Sequence, residues 1–204
     1  VMHGNGGNDI LIGDHAVFFL ETEYGTSRAT AFNIDDELHW TVNDNPDLDP
    51  GAGPSTMIAG IGQNEYAFYA VTIGAGETIT LDIDWGYGSW GGDQVDTVVR
   101  LLDGSNIVLA ENDDNTSNSD GGGGSHTPET RDSYLTYTVA TAGTYYIQVG
   151  QYASGGNIAP LAAGASFALN VSVTGHVYYI PAQADGDDIL YGGDDDDILY
   201  GMGG

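Results

Sequence analysis

Cysteine and lysine are absent from this 204-residue chain, and the basic side chains are three arginines, Arg28, Arg100 and Arg131. Without cysteine there is no disulfide, no thiol nucleophile and no thiolate metal site. Thirty acidic side chains against three basic ones give a formal charge of −27. Such a field repels phosphate backbones and anionic lipid, so nucleic acid and bare membrane surfaces are excluded as partners. No apolar run approaches the roughly 18 residues of a spanning helix, and no direct membrane insertion is expected. No basic, apolar leader precedes Val1-Met2-His3, so the chain reads as part of a larger polypeptide, monomeric as a fragment. Enzyme signatures are missing as well. The histidines His3, His15, His39, His126 and His176 show no H-E-x-x-H spacing, and no serine sits in a G-x-S-x-G elbow. The glycine-rich surroundings of Ser125-His126 are poor ground for a triad. A glycosidase carboxylate pair is defined in space, which the sequence leaves open; no catalytic activity is expected.

What is abundant is short and oxygen-rich. The acids divide into 23 Asp and 7 Glu, accompanied by 32 Gly. Asp suits tight loops better than helix faces, and short carboxylates interleaved with glycine place hard oxygens around Ca²⁺. Several bound Ca²⁺ ions are expected. Near the C-terminus, Gly186-Asp187-Asp188-Ile189-Leu190-Tyr191-Gly192 is followed nine residues later by Asp195-Asp196-Asp197-Ile198-Leu199-Tyr200-Gly201, and the N-terminus holds Gly4-Asn5-Gly6-Gly7-Asn8-Asp9-Ile10-Leu11-Ile12-Gly13. These resemble the G-G-x-G-x-D-x-U-x nonapeptide of calcium-binding RTX β-rolls, with Asn5 and Asp195 replacing glycines. In that pattern the glycines turn the chain, the Asp bridges Ca²⁺ between coils and the aliphatic residue fills the roll. So few repeats do not stack stably alone, so they are expected to flank an insertion, with both chain ends close together.

From residue 16 onward short β-rich runs alternate with Gly, Asn, Asp and Pro, and no 3.6-residue periodicity is sustained. Strands are expected at 16–23, 37–42, 65–73, 78–85, 97–102, 107–110, 133–140, 143–152, 166–174 and 176–180. In Ile79-Leu81-Ile83-Trp85 one face is apolar while Asp82 and Asp84 take the other. The fold class is all-β: an antiparallel β-sandwich inserted in a small discontinuous β domain with RTX β-roll-like repeats at both termini. The breaker-rich stretch from Asn43 to Pro54 reads as a linker or, through its alternating acids, as a further Ca²⁺ loop. Residues 1–50 and 175–204 form the discontinuous part, and residues 55–174 the ligand-binding sandwich.

Within the insertion, Glu65-Tyr66-Ala67-Phe68-Tyr69-Ala70-Val71 precedes Gly76-Glu77-Thr78-Ile79-Thr80-Leu81-Asp82, then Val95-Asp96-Thr97-Val98-Val99-Arg100-Leu101-Leu102-Asp103, Leu109-Ala110-Glu111-Asn112-Asp113-Asp114, Asp132-Ser133-Tyr134-Leu135 and Gly143-Thr144-Tyr145-Tyr146-Ile147-Gln148-Val149. The order resembles the bacterial pre-peptidase C-terminal sandwich. Placed between RTX repeats, it resembles the peptide-binding domain, carried in a split domain, of large RTX adhesins. That resemblance implies an extracellular, cell-surface module exported by type I secretion, active in cell adhesion and biofilm formation. It also implies binding to the C-terminal peptide of a partner surface protein, with a Ca²⁺ holding the ligand carboxylate.

The candidate metal ligands are Asp84, Asp93, Asp96, Asp113, Asp114 and Asp132, at or beside strand ends expected to share one pole, and Asp9, Asp188 and Asp197 of the repeats. Six carboxylates at one pole repel unless cations sit among them. The candidate ligand-binding residues are Tyr87 and Trp90, Gly123, Gly124 and Ser125, and Tyr152, Gly156 and Asn157, from three long loops rich in aromatic residues and glycine. A Ca²⁺ with open positions beside glycine N–H donors would take a peptide carboxylate or the vicinal hydroxyls of a sugar. Glycan binding is therefore the alternative function, and a passive spacer a third.

Overall fold

The computed structural model describes residues 2–6, 10–12, 25–37, 40, 48, 54–84, 95–114, 131–177, 190–194 and 198–200. The strands, in order, are β1 (Met2–Gly6), β2 (Ile10–Ile12), β3 (Phe32–Asn33), β4 (Ser55–Ile61), β5 (Ala67–Ile73), β6 (Thr78–Asp84), β7 (Thr97–Leu102), β8 (Val108–Asn112), β9 (Tyr134–Thr138), β10 (Gly143–Ala153), β11 (Asn157–Ala159), β12 (Ser166–Val173), β13 (Leu190–Asp194) and β14 (Ile198–Tyr200). Helix among the described residues is limited to a 3-10 turn at Arg28–Thr30 and one α turn, α1 (Ile34–Glu37). The protein is all-β, as its sequence pattern indicates.

Two sheets form a sandwich. One runs β3-β5-β10-β7-β8, with β11 added on β10; the other runs β4-β12-β6-β9. Alternation decides which side chains meet between them. Tyr69, Val71 and Ile73 of β5, Val99 and Leu101 of β7, and Ile147 and Val149 of β10 are buried in one core with Ile58 of β4, Ile79, Leu81 and Ile83 of β6, Leu135 of β9, and Phe167, Leu169, Val171 and Val173 of β12. Burying each such side chain contributes about 1.5–3 kcal/mol. The expected strands within 65–73, 78–85, 97–102, 107–110, 133–140, 143–152 and 166–174 correspond to β5 to β10 and β12. The strands β3, β4 and β11 were not anticipated. Residues 16–23 lie outside the description, as does most of 37–42, whose first residue closes α1. Of 176–180, His176 and Val177 are not strand, and the rest lies outside.

Residues ahead of β4 also join the sandwich. Gly25 bridges Phe68, β3 pairs in parallel with β5 (Phe32 with Tyr69, Asn33 with Ala70), and Ile34 and Trp40 are buried in the core. Asp35 accepts from Thr72 N–H of β5 at 2.7 Å and lies 2.8 Å from His176 Nε2, whose ring packs 4.0 Å from that of Trp40. Segments on either side of the sandwich are thus tied to β5.

The chain ends meet in two parallel ladders: β1 with β13, Met2 opposite Leu190, and β2 with β14, Ile10 opposite Ile198. Paired positions differ by 188 in both ladders, so Ile10-Leu11-Ile12 of the N-terminal phrase faces Ile198-Leu199-Tyr200 of the second C-terminal copy in phase. The register shows a further unit that the sequence reading passed over. Met2-His3-Gly4 stands nine residues before Leu11-Ile12-Gly13, and Met2 and His3 face Leu190 and Tyr191.

Candidate metal centre

One hairpin sets the register that brings three carboxylates together. Asp103 Oδ1 accepts from the N–H groups of Ser105 (2.8 Å) and Ile107 (2.9 Å), and Asn106 takes a left-handed φ of 68°, closing the turn between β7 and β8. Asx capping and a left-handed Asn are common solutions for such a turn. At the far end Val99 pairs with Asn112. Continuing that antiparallel register past the strand ends brings Asp96, just before β7, alongside Asp113 and Asp114, just after β8.

A buried serine then fixes this end to the opposite sheet. The Ser133 hydroxyl lies within reach of the Thr97 carbonyl (2.8 Å) and the Asp113 carbonyl (3.0 Å), while Ser133 O accepts from Ile83 N–H at 2.9 Å. Asn112 Oδ1 accepts from Tyr134 N–H at 2.9 Å, and Asp96 O accepts from Tyr152 N–H at 2.7 Å. The backbones on which the three carboxylates sit are therefore anchored to β6, β9 and β10.

Asp96, Asp113 and Asp114 each bring one carboxylate oxygen within 4.8 Å of the others. Asp96 Oδ1 and Asp113 Oδ1 are buried and accept no hydrogen bond. Burial first, then the charges of Asp114, Asp96 and Glu111, push the Asp113 carboxyl up to about 6. Asp96 is raised by burial and by Asp114, against the opposing pull of Arg131. Both shifts say that these groups resist being charged together without a cation. A hard divalent ion such as Ca²⁺ fits them: it takes carboxylate oxygens in loose geometry and would satisfy the buried acceptors. Three carboxylates also leave positions for carbonyls, water or a ligand.

The other candidates distribute as follows. Asp84 and Asp132, 6% and 1% exposed, lie at the same pole but do not join the trio. Asp84 ends β6 and accepts from Asn170 Nδ2 at 2.9 Å. Tyr152 is exposed and adjoins the trio through its hydrogen bond to Asp96. Gly156, with φ of 77°, and Asn157 lie on the β10–β11 hairpin that extends from this pole. Asp9, Asp93, Asp188, Asp197, Tyr87, Trp90, Gly123, Gly124 and Ser125 lie outside the described residues. Residues 85–94, between Asp84 and Val95, and residues 115–130, between Asp114 and Arg131, also lie outside the described residues.

The sequence reading missed three residues here. Asp82 and Asn170, fully or almost fully buried, share the outer face of the β4-β12-β6-β9 sheet with Asp84. The alternation in β6 was the available signal for Asp82, and that in β12 for Asn170. Arg131, whose Nη1 lies 3.9 Å from Asp96 Oδ2, had none beyond its rarity.

The middle of the chain has a family likeness. Residues 65–151 match the family model of the bacterial pre-peptidase C-terminal domain. That span runs from the approach to β5 through most of β10, and it contains all three carboxylates of the cluster. No curated protein sequence matches the chain. Among solved structures the chain is similar to Aeromonas hydrophila PliG, a periplasmic lysozyme inhibitor of g-type lysozyme, with 13% identity, a TM-score of 0.36, and coverage of 82% of this chain and 99% of that one.

Proposed function

We propose that this chain is a calcium-dependent binding module of a secreted bacterial surface adhesin, and that its ligand is the free C-terminal end of a partner protein's chain. The observation that carries the reading is the Asp96, Asp113 and Asp114 trio. The buried Oδ1 atoms of Asp96 and Asp113 lack partners, and the carboxyls of these two residues are pushed upward. A Ca²⁺ held there would offset the local charge and offer open positions to a carboxylate. The nonapeptide phrases at the paired chain ends support further Ca²⁺ sites at Asp9, Asp188 and Asp197, and an extracellular setting. The resemblance to split adhesin domains supplies the peptide, and with it a role in cell adhesion and biofilm formation. The chain's own residues would position the ion and ligand, with no chemical step required.

The test is an array of short peptides with free and amidated C-termini, probed in Ca²⁺ and in chelator, with a glycan array alongside. Ca²⁺-dependent capture of the free-carboxylate peptides alone is the expected result. Capture of glycans only would transfer the site to the lectins, and no capture on either array would leave a spacer. Asp113→Ala with Asp114→Ala is expected to abolish capture while the sandwich still melts cooperatively.

A further inference from the structure

A cation beside a cation site demands a reason. All three arginines of this chain are placed, and their surroundings differ. Arg28 donates to the Gly104 carbonyl and lies over the Tyr146 ring, near the β7–β8 turn and away from the trio. Arg100 is ion-paired with Glu111 across the β7–β8 ladder. Arg131 alone stands at the carboxylate pole, its side chain half exposed and its Nη1 3.9 Å from Asp96 Oδ2. A guanidinium there competes with a metal ion for Asp96, so it weakens the very site it adjoins.

Three ionised carboxylates and one Ca²⁺ sum to −1, on a chain already at −27. Such a site would hold a second anion less firmly than it holds neutral hydroxyls. With Arg131 included the sum is zero, and a planar fork of N–H donors stands beside the ion. That fork matches a carboxylate in geometry and charge.

Resting on the calcium-site reading above, we propose that Arg131 is the residue that selects an anionic ligand over a neutral one: with Ca²⁺ seated among Asp96, Asp113 and Asp114, its guanidinium is the second cationic contact for the terminal carboxylate of a bound peptide. Its Nη1 lies 3.9 Å from Asp96 Oδ2, close enough for guanidinium and ion to serve one anion, and half of its side-chain surface faces solvent.

The test compares the full chain with Arg131→Gln and Arg131→Lys. Ca²⁺ is titrated calorimetrically into each protein, and each is then applied in Ca²⁺ to the arrayed peptides with free and amidated C-termini. Arg131→Gln is expected to bind Ca²⁺ at least as tightly as the parent and to lose about tenfold or more in affinity for free-carboxylate peptides, the scale of a charge-assisted bidentate contact. Its affinity for amidated peptides should not change, and Arg131→Lys should recover part of the loss. If Arg131→Gln binds Ca²⁺ more tightly but captures the free-carboxylate peptides as well as the parent does, Arg131 merely neutralises the acids, and its proposed role is overturned while the calcium reading stands. If the parent protein neither binds Ca²⁺ nor distinguishes free from amidated peptides, both fall together.

Discussion

Asp35 uses both carboxylate oxygens on distant parts of the chain, Oδ1 against His176 Nε2 at 2.8 Å and Oδ2 accepting from Thr72 N–H at 2.7 Å. Burial raises its carboxyl, but the hydrogen bonds from His176 and Thr72 outweigh that, and the group is held below the usual carboxylate range. A carboxyl whose folded pKa is lowered contributes stability that is fully present above its unfolded value, roughly 4, and is lost as pH falls through the folded value. Asp35→Asn should therefore destabilise the protein by about 1–3 kcal/mol at pH 7, the range for disturbing a charge-assisted hydrogen bond. The difference from the parent should shrink as pH falls well below that unfolded value. Denaturant unfolding at the two pH values measures it, and a difference independent of pH would mean that the charge of Asp35 has no part in the junction.

At the scale of elements, β4 shows how a strand can be hidden in the sequence and obvious in the fold. Its inward positions include Thr56, Ile58 and Gly60, only one of them a large apolar residue. Gly60 is the cross-strand partner of Phe167, whose ring lies where a Cβ would stand, with Cε1 within 2.7 Å of it. The glycine leaves room for a fully buried ring, a pairing that neither position discloses by itself. Gly60→Ala should cost about 1–3 kcal/mol through overpacking, and Gly60→Ala combined with Phe167→Leu should cost less than the sum of the two single changes. Strict additivity in thermal unfolding would mean that ring and glycine are not coupled. The contrast with β6 locates what a sequence can disclose: Ile79, Leu81 and Ile83 announce themselves because one strand's alternation suffices. Two-residue β3 becomes a strand only through its neighbour β5. The same holds at the site, where Asp96, Asp113 and Asp114 were readable as acids at strand ends. Their mutual approach depends on the Asp103 turn and the β7–β8 register, and the burial of Asp82 depends on what covers the sheet's outer face.

For the whole molecule, the question is whether sandwich and chain ends unfold as one. The sandwich closes its ladders within residues 32–173, many of them long and antiparallel, around a shared core. The ends rest on two parallel ladders with strands of three to five residues, and two-stranded pairings of that size are marginal in water. They also join parts of a chain of charge −27, whose self-repulsion favours opening. In chelator, amide hydrogens of β1, β2, β13 and β14 should exchange through local opening, far faster than those of Ile147 or Leu169, which require global unfolding. If the nonapeptide aspartates hold Ca²⁺, its addition should slow the terminal amides most, because ions bound only in the paired state stabilise that pairing by mass action. Hydrogen exchange followed residue by residue decides the matter. Uniform protection in chelator would make sandwich and ends one cooperative unit. Terminal protection indifferent to Ca²⁺ would remove the ions from the repeats and leave the cation chemistry of this protein to the pole built by Asp96, Asp113 and Asp114.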